Sequence, residues 1–398
     1  MTKPLYRNRN LLNEDTLFIS EFGAVSVSLP FKQSQGAEQA FNQADAYAIN
    51  TLNKLTKHLS QYTVAIVNDS YGALYAACNQ QQRIKECYSY TDEASLQFNY
   101  KHNNLSSSNI KSVLELSKDC VDFVIIKIPK QLDFLELILA MLSSTTTQHG
   151  KPVTVILSGM QKYISKNYYS LIDSYLSEME VWPGLKKAKC ITAVSSSLSE
   201  SNSSLPPYNM MNFVHKLDLP EYQLQLYNLP NVFSRQHLDI GSRFFLNHFP
   251  GINDGDNILD LATGSGVLSL FAAKQANNLT IYATDNSALG IASCKLAANA
   301  AKLTNIYPVQ MNCLFECDIA PKSLDIILCN PPFHQGHNVS DHIAHTMLEQ
   351  TKPLLKSSGR LYVVGNKHLK YDKFLKKHFE CVTLKQSNDK FSIFEASF

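Results

Sequence analysis

The sequence carries almost no net charge: 36 Lys and Arg against 34 Asp and Glu leave +2 over 398 residues. A globally basic surface is excluded, so any nucleic-acid footprint must be local. Paired cysteines are missing as well. The nine cysteines are scattered, none forms a CxxC pair, and Cys313 and Cys317 lack partner ligands. Free thiols of a reducing cytosol are expected, rather than disulfides or a metal site. No apolar run reaches membrane-spanning length, and Met1-Thr2-Lys3-Pro4 opens without the apolar stretch of a secretory signal. The expectation is a soluble cytoplasmic protein. The three-glycine spacing of dinucleotide-binding turns is also absent, which turns the reading away from a nicotinamide oxidoreductase.

What is present is most informative near the carboxyl end. The apolar run Leu324-Asp325-Ile326-Ile327-Leu328-Cys329 reads as a buried strand that stops at Asn330-Pro331-Pro332-Phe333. Prolines there fix φ and leave carbonyls outside any ladder. Phe333 can stack on a planar ring, while the Asn330 carboxamide oxygen accepts a hydrogen bond from an exocyclic amine. An amine conjugated into a heteroaromatic ring is a poor nucleophile. Two acceptors holding its protons, with an electrophilic methyl in line, supply the positioning that methyl transfer needs. A merely proline-stopped strand is the bland alternative.

Upstream, Ile258-Leu259-Asp260-Leu261-Ala262-Thr263-Gly264-Ser265-Gly266 predicts a strand, a glycine turn and a helix beginning near Gly266. Asp260 is placed to take the ammonium of an amino-acid-like cofactor. The strand Leu279–Thr284 ends in Asp285, about 20 residues past the turn, where an acid accepts ribose hydroxyls. Gly359–Gly365 predicts a fifth strand, and Cys381–Lys385 with Phe391–Ala396 a closing antiparallel hairpin. A parallel α/β sheet finished in this way resembles the class I methyltransferases, which use S-adenosylmethionine.

The first half repeats the pattern. Thr63–Gly72 echoes the strand and turn with one glycine in place of two, and Tyr88–Asp92 echoes the strand ending in Asp285. Asp122–Lys130 echoes the clamp, with Lys127 in place of Asn330. The expectation is an α/β protein of two tandem Rossmann-like methyltransferase domains. Residues 1–194 form a degenerate copy, 195–208 a Ser-rich linker, and 209–398 the catalytic copy. Lys127 and Lys130 then contact RNA phosphate or, on the bland reading, Lys127 caps a strand and faces solvent.

Longer runs resemble one family. Asn231-Val232-Phe233-Ser234-Arg235, Leu238–Phe245, Leu328–Gln335, Asn366–Leu369, Asn68–Leu74 and Ile126–Lys130 resemble the ribosomal RNA large subunit guanine-N2 methyltransferases. The small-subunit guanine-N2 enzymes are their neighbours. The resemblance implies methylation of the exocyclic N2 of a guanine in 23S rRNA, with S-adenosylmethionine as cofactor. It implies Asn330, Pro331 and Phe333 as catalytic residues. Around the cofactor it implies Asp260, Ala262, Gly264, Gly266, Asp285, Asn312 and Phe233. Toward RNA it points to Pro332, His334, His337, Arg235, Lys127, Lys130 and Lys367. The family's turn reads Asp-Leu-Gly-Cys-Gly-x-Gly; this chain places Ala262 and Thr263 in its middle, and a negative φ at 262 is expected to make the Cβ tolerable. Phe233 packs on the cofactor or in the core.

The hairpin expected at Asn212–Leu217 and Tyr222–Leu226 leads into the second domain. His334, His337, His342 and His345 lack the companions of a conventional metal site, so no metal is expected. Ser340 or Asp341 is expected to cap the following helix. Lys367, Lys370, Lys373, Lys376 and Lys377 form a basic face suited to an RNA backbone or to plain solvation. A monomer is expected. A 16S rRNA guanine-N2 enzyme, an adenine-N6 methyltransferase and a non-catalytic rRNA-binding assembly factor stay open as alternatives.

Overall fold

The computed structural model describes residues 17–27, 40–79, 84–93, 99, 103, 108–143, 145–195, 208–315, 317–332 and 338–398. Phe333, His334, His337 and nearly all of the Ser-rich linker lie outside the described residues. Two compact units divide the chain between Asn212 and Phe213.

The first unit opens on a small hairpin that sequence periodicity missed, β1 (Leu17–Ser20) with β2 (Gly23–Ser26). Its main elements are α1 (Gln43–Leu55), β3 (Thr63–Val67), α2 (Ala73–Asn79), β4 (Glu86–Thr91), β5 (Ile110–Ser112), β6 (Phe123–Lys127) and α3 (Leu132–Leu142). They continue with β7 (Thr154–Met160), α4 (Lys166–Tyr175), β8 (Leu176–Val181) and β9 (Ala188–Ser195). The second unit starts with the antiparallel pair β10 (His215–Leu219) and β11 (Leu224–Asn228), about two residues later than expected. It continues through α5 (Ile240–Asn247), β12 (Asn257–Leu261), α6 (Val267–Ala272), β13 (Thr280–Asp285), α7 (Ala288–Ala300), β14 (Ile306–Gln310) and β15 (Leu324–Cys329). The chain closes with α8 (Asn338–Thr351), β16 (Leu355–Asn366), α9 (Tyr371–His378), β17 (Cys381–Ser387) and β18 (Phe391–Ser397). Because α8 begins at Asn338, Ser340 and Asp341 sit inside it rather than capping it.

Each unit is built on a seven-stranded sheet of the same permutation. The second runs β14-β13-β12-β15-β16-β18-β17 and the first β5-β4-β3-β6-β7-β9-β8. Five strands are parallel and the last two add antiparallel. Strands such as Asn257–Leu261 and Leu324–Cys329 are buried almost throughout because both faces are covered. Phe245, Leu268, Leu270 and Cys294 pack on one face of the second sheet. Leu261, Leu348, Val363 and Leu375 pack on the other. Strand order reverses between β12 and β15, and ligands of open α/β sheets bind at the carboxyl ends beside such a reversal.

Register aligns the two copies. Val67 pairs Ile126 as Leu261 pairs Cys329, so Lys127 stands where Asn330 stands. Val67 pairs Tyr90 as Leu261 pairs Thr284. Thr91 therefore stands in place of Asp285, and Asp92 lies one residue beyond. Ile66 replaces Asp260. Asp69, three positions later, takes over the anchoring role, its Oδ2 accepting from the Tyr75 N–H at 3.0 Å at the start of α2. Burial pushes the Asp69 carboxyl up to about 6.

Lys127 is half-buried and already ion-paired. Its Nζ sits 3.0 Å from Asp45 Oδ1, and Asp45 retains only 1% side-chain exposure. Asp45 also accepts the Asn42 N–H at 2.7 Å in the capping box of α1. Removing one partner of such a pair strands the other. Lys127→Met is accordingly expected to lower the unfolding free energy by about 3 kcal/mol, measured by urea denaturation of the whole chain. An unchanged midpoint with weakened RNA binding would restore the phosphate role. Lys130 is exposed, with its Nζ 5.5 Å from the Tyr163 ring centroid.

Candidate active site

The turn after β12 is held by one carboxylate. Asp260 has no exposed surface. Its Oδ2 accepts from Thr263 Oγ1 at 2.5 Å, the Ser269 N–H at 2.9 Å and Ser269 Oγ at 2.6 Å. Its Oδ1 is buried and has no hydrogen-bond partner. Burial drives the carboxyl up to about 6, partly offset by the Ser269 and Thr263 hydroxyls. Thr263 and Ser269 went unassigned from the sequence, although hydroxyls close behind a strand-borne acid were a usable signal.

Ala262 does not have the negative φ expected of it. Its φ is +63°, a left-handed conformation that costs an alanine about 1–2 kcal/mol. The bend lets the Thr263 N–H reach Thr284 O at 2.9 Å, and the anchored Thr263 hydroxyl holds the conformation in place.

The two glycines have different tasks. Gly264 has φ +55°, and a Cβ added there would meet nothing within 4 Å, so the turn is open on that side. Its N–H donates to Asp285 Oδ2 at 2.8 Å. Gly266 has φ +89°, and a Cβ would lie 2.5 Å from Cys294 Sγ. Only a bare Cα fits α6 against α7 at that point, so Gly266 serves packing. Asp285 also accepts the Ser287 N–H at 2.9 Å through Oδ1, and burial raises its carboxyl above the ordinary value.

Beside the turn opens a cleft with about 490 Å³ of free space, its open mouth included, lined by Phe233, Leu238, Asp239, Ser242, Ala262, Gly264 and Asn330 among others. Asp239 caps α5, its Oδ2 accepting the Ser242 N–H at 2.9 Å. Asn330 Nδ2 donates to Asp239 Oδ2 at 3.2 Å and to Ser242 Oγ at 2.9 Å. An ionised carboxylate can only accept, so the amide nitrogen must face it. Asn330 Oδ1 is thereby turned the other way, buried and without a partner. Neither Asp239 nor Ser242 had been singled out as a site residue.

The other expected residues divide. Pro331 is buried and Pro332 exposed. Phe233 is 57% exposed at the cleft, which removes the core-packing alternative. Arg235 is half-buried and donates to Phe213 O at 2.7 Å and Asn228 O at 3.4 Å, a structural task rather than an open RNA contact. Asn312 is half-buried in the turn after β14 and does not line this cleft. Lys367, Lys370, Lys373, Lys376 and Lys377 are all exposed on and before α9. His345 stacks on Phe374 with ring centroids 4.1 Å apart. Among the described residues no cluster of three or more His, Cys, Asp or Glu could hold a metal ion, and no helix is long and apolar enough to cross a membrane.

Comparison with known proteins places the chain in a family. Residues 223–395 match the family described as Methyltransferase small domain, and residues 24–197 match the RLMG N-terminal domain. A ribosomal RNA large subunit methyltransferase G of Pseudoalteromonas translucida is 32% identical, covering 92% of this chain and 94% of its own. One from Photobacterium profundum is 33% identical over 90% and 93%. Among solved structures, the T. thermophilus 16S rRNA N2 methyltransferase RsmC, in complex with AdoMet and guanosine, aligns with a TM-score of 0.70 over 96% of this chain and 97% of its own, at 15% identity. A run of family-like sequence across both units, with identity above 30% over nine-tenths of the chain, settles the relationship: the chain belongs to the ribosomal RNA large subunit methyltransferase G family.

Proposed function

We propose that the second unit methylates the exocyclic N2 of a guanine in 23S rRNA, drawing on S-adenosylmethionine. The observation that carries the proposal is the Asn330 carboxamide oxygen, buried, unpartnered and locked in orientation at the end of β15. An acceptor in that state is complementary to an amine that the protein itself does not supply. The choice of large-subunit RNA rests on the 32% identity over nearly full length; the likeness to the 16S enzyme carries the fold alone.

The residues present fit the cofactor. Asp260 Oδ1 has acceptor capacity left over, and Gly264 leaves the turn open on the side of the cleft. Asp260 would face the cofactor's ammonium and Asp285 its ribose, with Phe233 and Ala262 against the remainder. When bound, that group supplies an electrophilic methyl on a sulfonium.

The chain's own work is positioning. The target guanine leaves its stack at a cost of a few kcal/mol, smaller in a loop. Asn330 Oδ1 and the Pro331 carbonyl hold the N2 protons, and Phe333 stacks on the ring. This directs the nitrogen lone pair along the line of attack. After transfer the methylated amine is cationic and acidic, and its extra proton passes to solvent. Lys130 and the lysines around α9 meet RNA phosphates, and the first unit, its pocket closed by Lys127 and Asp45, serves RNA recognition without catalysis. The protein acts as a monomer beside ribosomal RNA in the cytoplasm.

The test is direct. Purified protein is expected to bind S-adenosylmethionine by calorimetric titration and to transfer labelled methyl to 23S rRNA from a strain deleted for the gene. Mass-spectrometric mapping should then find one N2-methylguanine. Absence of cofactor binding would leave the non-catalytic assembly factor standing; methylation confined to 16S rRNA would move the enzyme to the small subunit.

A further inference from the structure

We infer that Asp239 and Asn330 together form a two-acceptor surface that reads the Watson–Crick edge of the flipped base, so that Asp239 selects guanine over adenine. The inference rests on the methyl transfer proposed above and names the residue that chooses the base.

The geometry is specific. Asp239 Oδ2 is occupied by the Ser242 N–H and Asn330 Nδ2 at 2.9 and 3.2 Å. Asp239 Oδ1 has no hydrogen-bond partner among the described residues, and Asp239 lines the cleft. Asn330 Oδ1 is likewise unpartnered, and it is buried. Two open acceptors thus belong to side chains that are themselves hydrogen-bonded to each other. Gly241 lets the start of α5 sit close to the pair: a Cβ there would stand 3.0 Å from Asp239 Oδ2, 3.2 Å from the Phe391 ring and 3.5 Å from Asn330 Oδ1.

That pattern suits one purine. Guanine presents adjacent donors, N1–H and the N2 amine, to a base reader. Adenine presents one donor, its N6 amine, beside an acceptor at N1. A carboxylate oxygen facing adenine N1 would set two lone pairs against each other in a confined site, where an unmade hydrogen bond is expensive. Asn330 alone accepts from either amine, so discrimination falls to Asp239. Ser242 is a positioning residue, acting by holding the Asn330 amide.

Asp239→Asn separates reading from architecture. Asparagine caps helices as well as aspartate, and its oxygen keeps the Ser242 N–H. Its NH2 then replaces Oδ1, presenting a donor where an acceptor stood. The probes are guanosine and 2-aminopurine riboside, which keeps the 2-amine but carries an acceptor at N1. Binding is measured on protein saturated with S-adenosylhomocysteine. Wild type is expected to prefer guanosine on the order of 10-fold or more, and Asp239→Asn to erase or reverse that preference. Ser242→Ala, which leaves the cap intact, is expected to reduce it several-fold. Equal affinities in wild type, or a variant that weakens both probes by the same factor, overturns the acceptor pair. Methylation of 23S rRNA by the same proteins, freed of S-adenosylhomocysteine and supplied with S-adenosylmethionine, separates the two levels. Wild type that methylates rRNA yet lacks the preference defeats this inference alone; wild type that transfers no methyl defeats the reading beneath it.

Discussion

Asn330→Ala is expected to lower methyl transfer to 23S rRNA on the order of 10³-fold while leaving S-adenosylmethionine affinity within about twofold. The asymmetry follows from where the amide stands. Its nitrogen is tied to Asp239 and Ser242, and its oxygen has acceptor capacity that nothing in the described chain uses. Alanine removes the acceptor and the alignment together, so the amine keeps its conjugation and its lone pair is no longer steered. The turn at Asp260 shares none of the amide's hydrogen bonds, so the turn persists. Single-turnover rates with saturating rRNA, beside calorimetric titration of the cofactor, decide the matter. Turnover within tenfold of wild type would remove Asn330 from the mechanism.

Asp260→Asn is expected to uncouple stability from acid and to cost cofactor binding. The wild-type carboxyl is raised from 3.8 to about 6, chiefly by burial. Between those values the native state holds more of this proton than the unfolded chain does. Stability contributed by the group is therefore greatest below pH 4 and is lost as pH rises toward 6, with a slope of up to about 1.4 kcal/mol per pH unit. Asparagine removes that slope while its oxygen still accepts from Thr263 and Ser269. The ligand reverses the preference, because an ammonium at Oδ1 favours the ionised form. Cofactor affinity should accordingly rise with pH through about 6 in wild type, and be flat and on the order of 10²-fold weaker in the variant. Urea titrations from pH 4 to 8 and parallel calorimetry read both effects. Superimposable slopes would refute the buried acid, and equal affinities the ammonium contact.

Much of this site is legible in the chain. The β15 strand ends at Cys329 as its apolar run does, and the glycine turn and second-strand acid fall at the ends of β12 and β13. Those features are local, fixed by periodicity and by residues that stop a strand. What periodicity could not give was long-range. The Asp239–Asn330 bond spans 91 positions, and the Lys127–Asp45 contact spans 82. A lysine at a pocket mouth reads as free until the helix that neutralises it is placed. Backbone sign was hidden for a similar reason: alanine rarely adopts positive φ, so only the assembled turn at 262 revealed it. Arg235 looked like an RNA contact because its carbonyl partners lie at Asn228 and Phe213, which no residue type announces.

One of those backbone features reaches further. Asn68, one residue past β3, has φ +65°, and Ala262, one residue past β12, has φ +63°. The unit that carries a lysine at the carboxamide's position still turns its chain over at the matching step. Left-handedness at that step is therefore a property of how the central strand hands over to its helix in both units. A residue whose odd geometry would ordinarily advertise chemistry here reports the path of the chain.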